Sequence, residues 1–362
     1  MPFMRTGLSE PLIKKRIRGF PKSFWAQIYL LLALLEMLVV VIVQIVLLAN
    51  ISANSHTTTW TAQKVISSGS LLVYDSLFIV AEVFFLVIAW EAMAHKNTIQ
   101  VIAATIFNYC LLVYSLIQYF QNESSSRVVT NNNSLQVLRV AIIAIITVCS
   151  LSFTALLWEI FLDFGWMIYK KLGADLGLRQ MYKRHQILIT LLKLDIFFFV
   201  GYSVQLATLV LKVTDAETWI QIAVVVPGSV LVLFMSFFAL QREHRRLMQL
   251  AMIIFALAPI YFIYKLVRMY TVPNNTNWDP YWDSRKYLTF FIIANVLLIG
   301  TTLVYAWLCY RDFGRGLKQS IEEYHTKKAK IRDLIAENPA LADKAPESFM
   351  HEMEGRERWQ LE

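Results

Sequence analysis

The sequence has few charged residues for its length. Asp, Glu, Lys and Arg make up 17% of the 362 residues, whereas hydrophobic residues make up 57%. The mean hydropathy is +0.50. A soluble chain of this size would need more charge to cover its surface, so the composition indicates a polytopic membrane protein. The net charge of +8 is then expected to mark one side of a membrane, and it does not suggest nucleic acid as a partner.

Catalytic and metal-binding patterns are also missing. The sequence contains no G-x-S-x-G, no Gly-rich phosphate loop and no H-E-x-x-H. None of the six histidines falls in the interior of a predicted span, which argues against an intramembrane zinc site. The three cysteines lie in apolar segments, so a disulfide framework is not expected. We therefore expect no enzyme activity, no catalytic residues, no metal and no cofactor.

Long apolar runs dominate what is present. A helix needs roughly 20 residues to cross a hydrocarbon core of about 30 Å. The predicted fold class is all-α, a polytopic bundle of about eight transmembrane helices, with spans near 24–48, 66–93, 98–120, 139–163, 187–211, 219–240, 248–270 and 287–310. A basic N-terminus over 1–23 and a polar tail over 311–362 flank this bundle. Apolar residues at helical spacing predict an amphipathic helix near 316–337 in the tail.

Two independent signals predict the orientation. If the N-terminus is cytosolic, fifteen Lys and Arg lie on its side before the tail and six lie on the opposite side, as the positive-inside rule requires. The candidate N-glycosylation sequences all fall in loops on that opposite side, at Asn50, Asn122, Asn132 and Asn274. Three of them lie close to the bilayer, where an acceptor sequence can remain unused. Both termini are therefore predicted to be cytosolic.

Two charges within the fifth span need separate explanations. A charge at the centre of a membrane helix costs roughly 2.5–3.5 kcal/mol on insertion scales. Lys193 and Asp195 point about 200° apart around the helix, so they cannot pair with each other. The long side chain of Lys193 can extend back toward the cytosolic headgroups. Asp195 lies nearly on the same face as Tyr202 and is expected to point into the bundle, either protonated or paired.

Acidic residues outnumber basic residues at depth. Glu36 lies at the middle of the first span, and Asp75 and Glu82 share one face of the second. Glu91 lies near the cytosolic end of that span. The predicted buried polar set, a candidate ion or proton site, is Glu36, Asp75, Glu82, Lys193, Asp195 and Tyr202. The alternative is that these residues form interhelical hydrogen bonds that fix the packing.

Two stretches of the sequence resemble a known family. They are residues 91–118, EAMAHKNTIQVIAATIFNYCLLVYSLIQ, and residues 173–206, GADLGLRQMYKRHQILITLLKLDIFFFVGYSVQL. Their distinctive pieces are K-N-T-I-Q from Lys96 to Gln100 and L-L-K-x-D-x-F-F-F from Leu191 to Phe199. Both stretches resemble an uncharacterised family of fungal Golgi apparatus multi-pass membrane proteins. The resemblance implies an all-helical fold and a Golgi or related endomembrane location, and it implies no reaction.

These observations predict a non-enzymatic multi-pass protein of the Golgi or a related endomembrane. The predicted partner is the lipid bilayer, and the basic segments KKRIR and KKAKIR make anionic cytosolic lipids a further candidate. Protein partners are unknown. The alternative function is a proton- or cation-coupled secondary transporter that uses the buried carboxylates. A seven-helix-like receptor or sensor fits less well, because the predicted number of spans is even.

Overall fold

The computed structural model describes residues 23–57, 62–129, 133–172, 176–210, 223, 225–271 and 284–314. These residues form helices and no strand, which confirms the predicted all-α membrane fold. We number the helices α1 (Phe24–Thr57), α2 (Ala62–Ala94), α3 (Thr98–Val129), α4 (Asn133–Leu172), α5 (Leu176–Gln205), α6 (Val226–Arg242), α7 (Arg245–Thr271) and α8 (Arg285–Asp312). A π-helical turn, Leu206–Val210, follows α5 directly.

Seven of the helices in the described ranges are long and apolar enough to cross a membrane. The exception is α6, which is apolar but has 17 residues. The sixth span was predicted over 219–240, and most of the residues that precede α6 in that range lie outside the described part. The predicted tail helix near 316–337 and nearly all of the basic N-terminus also lie outside it.

The helices form two consecutive four-helix bundles. In the first bundle, α1 and α3 each contact both α2 and α4, which closes a ring. In the second bundle, α5 and α7 each contact both α6 and α8, so the order of contacts is the same. Short connections make neighbouring helices antiparallel. We call the end of the molecule at which α1 begins the proximal end, predicted to be cytosolic, and the opposite end the distal end.

The same turn joins the second and third helices of each bundle. Lys96 after α2 and Glu243 after α6 both have a φ of 52°, in the left-handed region. The next amides, of Asn97 and His244, each donate to the carbonyl oxygen five residues earlier at 2.9 Å, as in a Schellman motif. The side chains of Asn97 and His244 then accept a hydrogen bond from an amide in the first turn of the following helix. The two bundles are therefore an internal structural repeat, although no repeat is visible in the sequence.

A row of aromatic rings lies where the two bundles meet, between α2 and α3 on one side and α5 and α8 on the other. The ring of Phe197 stacks on Phe84 at 4.7 Å between centroids and meets Phe107 edge-on at 5.0 Å. Phe198 contacts Phe291 of α8 at 5.8 Å. We call these five residues the aromatic seam. Two of them belong to the F-F-F run of the fifth span, so that motif packs the second bundle against the first.

Candidate functional site

The four carboxylates predicted at depth all lie inside the protein. Glu36, Asp75, Glu82 and Asp195 are each at most 2% exposed. Three of them belong to the first bundle, where they contribute to two polar layers. Each layer takes one residue from each of the four helices, so the polar groups meet on the bundle axis.

The layer nearer the proximal end is the mid-bundle cluster, made of Glu36, Glu82, Asn108 and Ser150. The amide nitrogen of Asn108 donates to both carboxylate oxygens of Glu36 at 3.0 Å. The amide oxygen of Asn108 accepts a hydrogen bond from the Ser150 hydroxyl at 2.5 Å. One asparagine on α3 therefore links the acid on α1 to the hydroxyl on α4. Such interhelical bonds are a main source of specificity where lipid gives helices no hydrophobic reason to associate.

Glu82 completes the mid-bundle cluster in a different way. Its side chain is fully buried, and neither carboxylate oxygen has a hydrogen-bond partner among the described residues. Glu36 lies on the neighbouring helix α1, close enough for the charges of the two side chains to affect each other. Two neighbouring carboxylates in a low-dielectric interior repel each other unless a proton or a cation is shared between them. The arrangement can therefore bind a proton or a small cation.

The second layer is the distal cluster, made of Gln44, Asp75, Gln118 and Arg139. The Gln118 amide donates to Asp75 Oδ1 at 2.7 Å and accepts from Gln44 at 3.4 Å. Arg139 Nη1 donates to the same Asp75 oxygen at 3.4 Å. The charge of Asp75 is thus balanced by a guanidinium on α4, unlike the charges of the mid-bundle cluster. Asp75 and Glu82 are seven residues apart on α2, which separates the two layers by about 10 Å.

Lys193 connects the two bundles near the proximal end. Its ammonium donates to Glu91 Oε1 on α2, and the Gln100 amide donates to the other oxygen of Glu91 at 3.0 Å. A second bond across the same interface runs from the Asn97 amide to Gln186 of α5 at 3.0 Å. The side chain of Lys193 does extend toward the proximal end, where it finds an acidic partner. Asn97 and Gln100 belong to the K-N-T-I-Q stretch, which therefore both shapes the α2–α3 turn and joins the bundles.

Asp195 and Tyr202 contact different helices of the second bundle. Asp195 Oδ2 accepts a hydrogen bond from Thr302 of α8 at 2.6 Å, and Oδ1 has no partner among the described groups. The Tyr202 ring is buried edge-on against Phe262 of α7 at 5.1 Å. The two residues both point inward, as the sequence predicts, but the structure does not bring Asp195 together with the acids of the first bundle.

Sequence reasoning missed the partners of the buried acids. It weighed charged residues within the spans and passed over the amides and hydroxyls of Asn108, Gln118, Ser150 and Thr302. It also passed over Arg139, the first residue of the predicted fourth span, which lies inside α4 and is 8% exposed. The signal that could have found the amides is their position in apolar runs, since an unpaired amide in hydrocarbon is costly.

The predicted glycosylation sequences are only partly within the described ranges. Asn50 lies in α1 and is exposed, and its amide donates to the Val46 carbonyl at 2.7 Å. Asn122 falls in α3, but its side chain is outside the described part, as are Asn132 and Asn274 altogether. No group of three or more His, Cys, Asp or Glu that could hold a metal ion occurs among the described residues.

Comparison with curated proteins identifies a relative of this chain. The chain is 29% identical to a UPF0658 Golgi apparatus membrane protein of Schizosaccharomyces pombe, over 69% of this chain and 78% of that protein. No family model matches the chain. No solved structure matches it either. The resemblance drawn from the sequence is thus confirmed: the chain is similar to a fungal Golgi apparatus membrane protein.

Proposed function

We propose that this chain is a non-enzymatic multi-pass protein of the Golgi membrane that works as a proton- or cation-coupled carrier. Its relative is named as a Golgi apparatus membrane protein, which supports the location. The distribution of basic residues and glycosylation sequences supports cytosolic termini. In that orientation the proximal end faces the cytosol and the distal end faces the Golgi lumen.

The observation that carries this proposal is the burial of Glu82 without a hydrogen-bond partner, on the helix next to the one that bears the buried acid Glu36. A residue kept only for packing would be expected to use its hydrogen-bonding capacity, because buried polar groups almost always have partners. Glu82 has none among the described groups, although it is fully buried in the middle of the bundle beside a second acid. Ionisable residues at such a depth mark ion and proton pathways in membrane proteins. The oxygens of the mid-bundle cluster are ligands that suit a proton or a monovalent cation.

The arrangement of the two bundles resembles the two-repeat construction of known carriers. Carriers are commonly built from two repeats, with the coupling ion bound near the middle of the bilayer. Here two four-helix repeats meet along the aromatic seam, and the mid-bundle cluster lies in one of them.

A test compares Golgi luminal pH in cells that lack the protein with cells that express variants of it. A pH-sensitive fluorescent protein targeted to the Golgi lumen reports the pH, and a blot reports abundance. Loss of the protein should shift luminal pH, and the wild-type chain should restore it. Glu82→Gln should fail to restore it at normal abundance, whereas Glu159→Gln, a control acid on α4 outside both polar clusters, should succeed.

Two results would refute the carrier function. One is a luminal pH that is the same in cells with and without the protein, whatever the sodium and potassium content of the medium. The other is full restoration by Glu82→Gln. Replacement of the cations in the medium also separates proton coupling from coupling to sodium or potassium.

A second candidate function is a static structural component of the membrane. The observation that favours it is the set of polar contacts between α5 and α8, where Thr302 binds Asp195 and Asn295 donates to the Phe198 carbonyl at 3.1 Å. These bonds fix the packing and need no bound ion. Asp195→Asn separates the two roles. If the variant is less abundant but each remaining molecule restores the luminal pH as well as the wild type does, Asp195 has a structural role.

The predicted orientation has its own test. A glycosylation reporter fused to the C-terminus should remain unmodified in microsomes, because the tail is expected in the cytosol. Modification of the reporter would place the tail in the lumen and would reverse the assignment of the two ends.

A further inference from the structure

The distal cluster continues across the interface into the second bundle. The ring of Tyr74 on α2 stacks on Tyr287 of α8 with 3.7 Å between centroids. Tyr287 lies within electrostatic range of both Asp75 and Arg139. The Tyr114 hydroxyl donates to the Tyr74 carbonyl at 3.2 Å. Three tyrosines in mutual contact therefore lie near the Asp75 carboxylate where the two bundles meet.

Buried polar atoms without a partner are concentrated at this place. Among the described groups, no protein partner is found for Gln44 Oε1, Asp75 Oδ2, the Tyr287 hydroxyl or either amide atom of Gln205. All four side chains are 0% exposed. Gln205 lies beside the Tyr114 hydroxyl without reaching hydrogen-bond geometry. The unpartnered atoms come from both bundles: Gln44 and Asp75 belong to the first, and Gln205 and Tyr287 to the second.

Their chemistry selects the ligand. The set contains donors and acceptors together, and the guanidinium of Arg139 disfavours a cation. Water both donates and accepts, and it is the usual partner of buried polar groups that the protein leaves unsatisfied.

The backbone is also unusual at this point. Gln205 is the last residue of α5 before the π-helical turn Leu206–Val210, and that turn contacts α2. π-helical turns within α-helices are rare and occur frequently at functional sites. The turn therefore follows Gln205 directly and lies against α2.

We propose that the distal cluster, together with Gln205 and Tyr287, binds ordered water molecules between the two bundles. These waters extend from Asp75 toward the distal end and give protons from the lumen access to the first bundle. The hydration stands by itself, whereas the role in proton access rests on the proposed carrier function. Glu82 lies about 10 Å further along α2 and would receive those protons.

Radiolytic labelling of the full chain in nanodiscs, in water enriched in oxygen-18, tests the hydration. A short X-ray pulse splits bound water into hydroxyl radicals, which oxidise the side chains next to them. Tyr74, Tyr114 and Tyr287 should gain heavy oxygen despite their burial. Phe85 and Phe153, fully buried rings of the first bundle 5.4 Å apart, serve as dry controls.

A pair of variants links the labelling to the site. Gln205→Leu should lower oxidation of Tyr287 at least twofold, whereas Gln249→Leu, near the proximal end of α7, should leave it unchanged. Tyrosine labelling no higher than that of Phe85 and Phe153 overturns the water site. Tyrosine labelling that is unchanged in Gln205→Leu also overturns the water site, because the water would then lie elsewhere.

The outcome is separable from that of the carrier proposal. Strong tyrosine labelling in a protein whose Golgi pH effect does not depend on Glu82 supports the water site and refutes the carrier. Labelling at control level with a Glu82-dependent pH effect overturns the water site and leaves the carrier standing. If both hold, Gln205→Leu should weaken the pH effect severalfold, and an unchanged effect overturns the role of the water in proton access.

Discussion

Gly201 permits the closest approach between α5 and α8, and replacing it with alanine tests how tightly the second bundle is packed. A methyl group at this position would lie 2.8 Å from Cε1 and 3.3 Å from Cζ of Phe291. The ring of Phe291 is 2% exposed and contacts Phe198 at 5.8 Å and Tyr114 at 6.0 Å. It therefore has neighbours on several sides and cannot move away freely. We expect Gly201→Ala to destabilise the protein.

The size of the effect follows from the overlap. Ordinary contact begins at 3.4 Å, so the ring or the helix must shift by 3.4 − 2.8 = 0.6 Å. Overpacking of this kind costs about 1–3 kcal/mol. Alanine also favours the helix over glycine by about 0.5–1 kcal/mol, which offsets part of the cost. Gly300→Ala on α8 supplies the control, because no atom lies within 4 Å of its added methyl group.

The comparison of the two variants isolates the packing cost, because the gain in helix propensity is common to both. Reversible unfolding in mixed micelles with increasing SDS should place Gly201→Ala about 1–3 kcal/mol below Gly300→Ala in free energy of unfolding. Phe291→Leu in the Gly201→Ala background should recover part of the loss, which shows that the ring is the obstacle. Equal stability of the two alanine variants would show that α5 and α8 are not in the close contact described here.

Further substitutions probe three polar contacts. Asn295→Leu removes the hydrogen bond to the α5 backbone. It should lower the free energy of unfolding by about 0.6–1.7 kcal/mol, the range for other interhelical hydrogen bonds in membranes. An unchanged midpoint of SDS unfolding would contradict the hydrogen bond. Thr302→Val leaves Asp195 without its donor and should cost about 1–3 kcal/mol, whereas Thr302→Ser, which retains the hydroxyl, should be close to neutral in the same titration. Reversing the charge of one partner alone, by Glu91→Lys or Lys193→Glu, should lower the thermal stability in detergent. Reversing both charges in one variant should restore it. The coupling should stay below about 1 kcal/mol because their side chains are 35% and 26% exposed.

The sequence was sufficient for the class of fold and for the depth of the acids. Apolar length is a local property, so the approximate positions of the helices follow from runs of about twenty residues. A single carboxylate in such a run, like Glu36, must turn away from lipid, and all four predicted acids are buried. These inferences need no knowledge of which helix packs against which.

The partners of those acids required the structure. In a soluble protein the polar face of a helix marks its rotation about its own axis, but a helix in lipid is apolar on nearly every side. The sequence therefore carries little information on whether Asn108 points at Glu36 or at another helix. Arg139 shows the same problem at a helix end, because the sequence does not show which way a basic residue at a predicted boundary points.

The internal repeat was hidden for a related reason. The two equivalent turns use Lys96 and Glu243 at the left-handed position, residues of opposite charge. The turn requires a backbone conformation and a capping acceptor in the next residue, and both Asn97 and His244 supply that acceptor. The geometry is repeated while the side chains differ, so comparison of residue types does not reveal it.

The distribution of polar groups favours a function inside the first bundle over a role in assembly alone. Lipid offers helices no hydrophobic gain on association, so residues kept for assembly are expected where separate units must be held together. The interface between the bundles has polar bonds near its proximal end, but its centre is the aromatic seam of Phe84, Phe107, Phe197, Phe198 and Phe291. The mid-bundle cluster lies instead on the axis of a ring that its own short connections already hold together. An unpartnered acid at that position adds little to assembly, and the proposed carrier function rests on this arrangement.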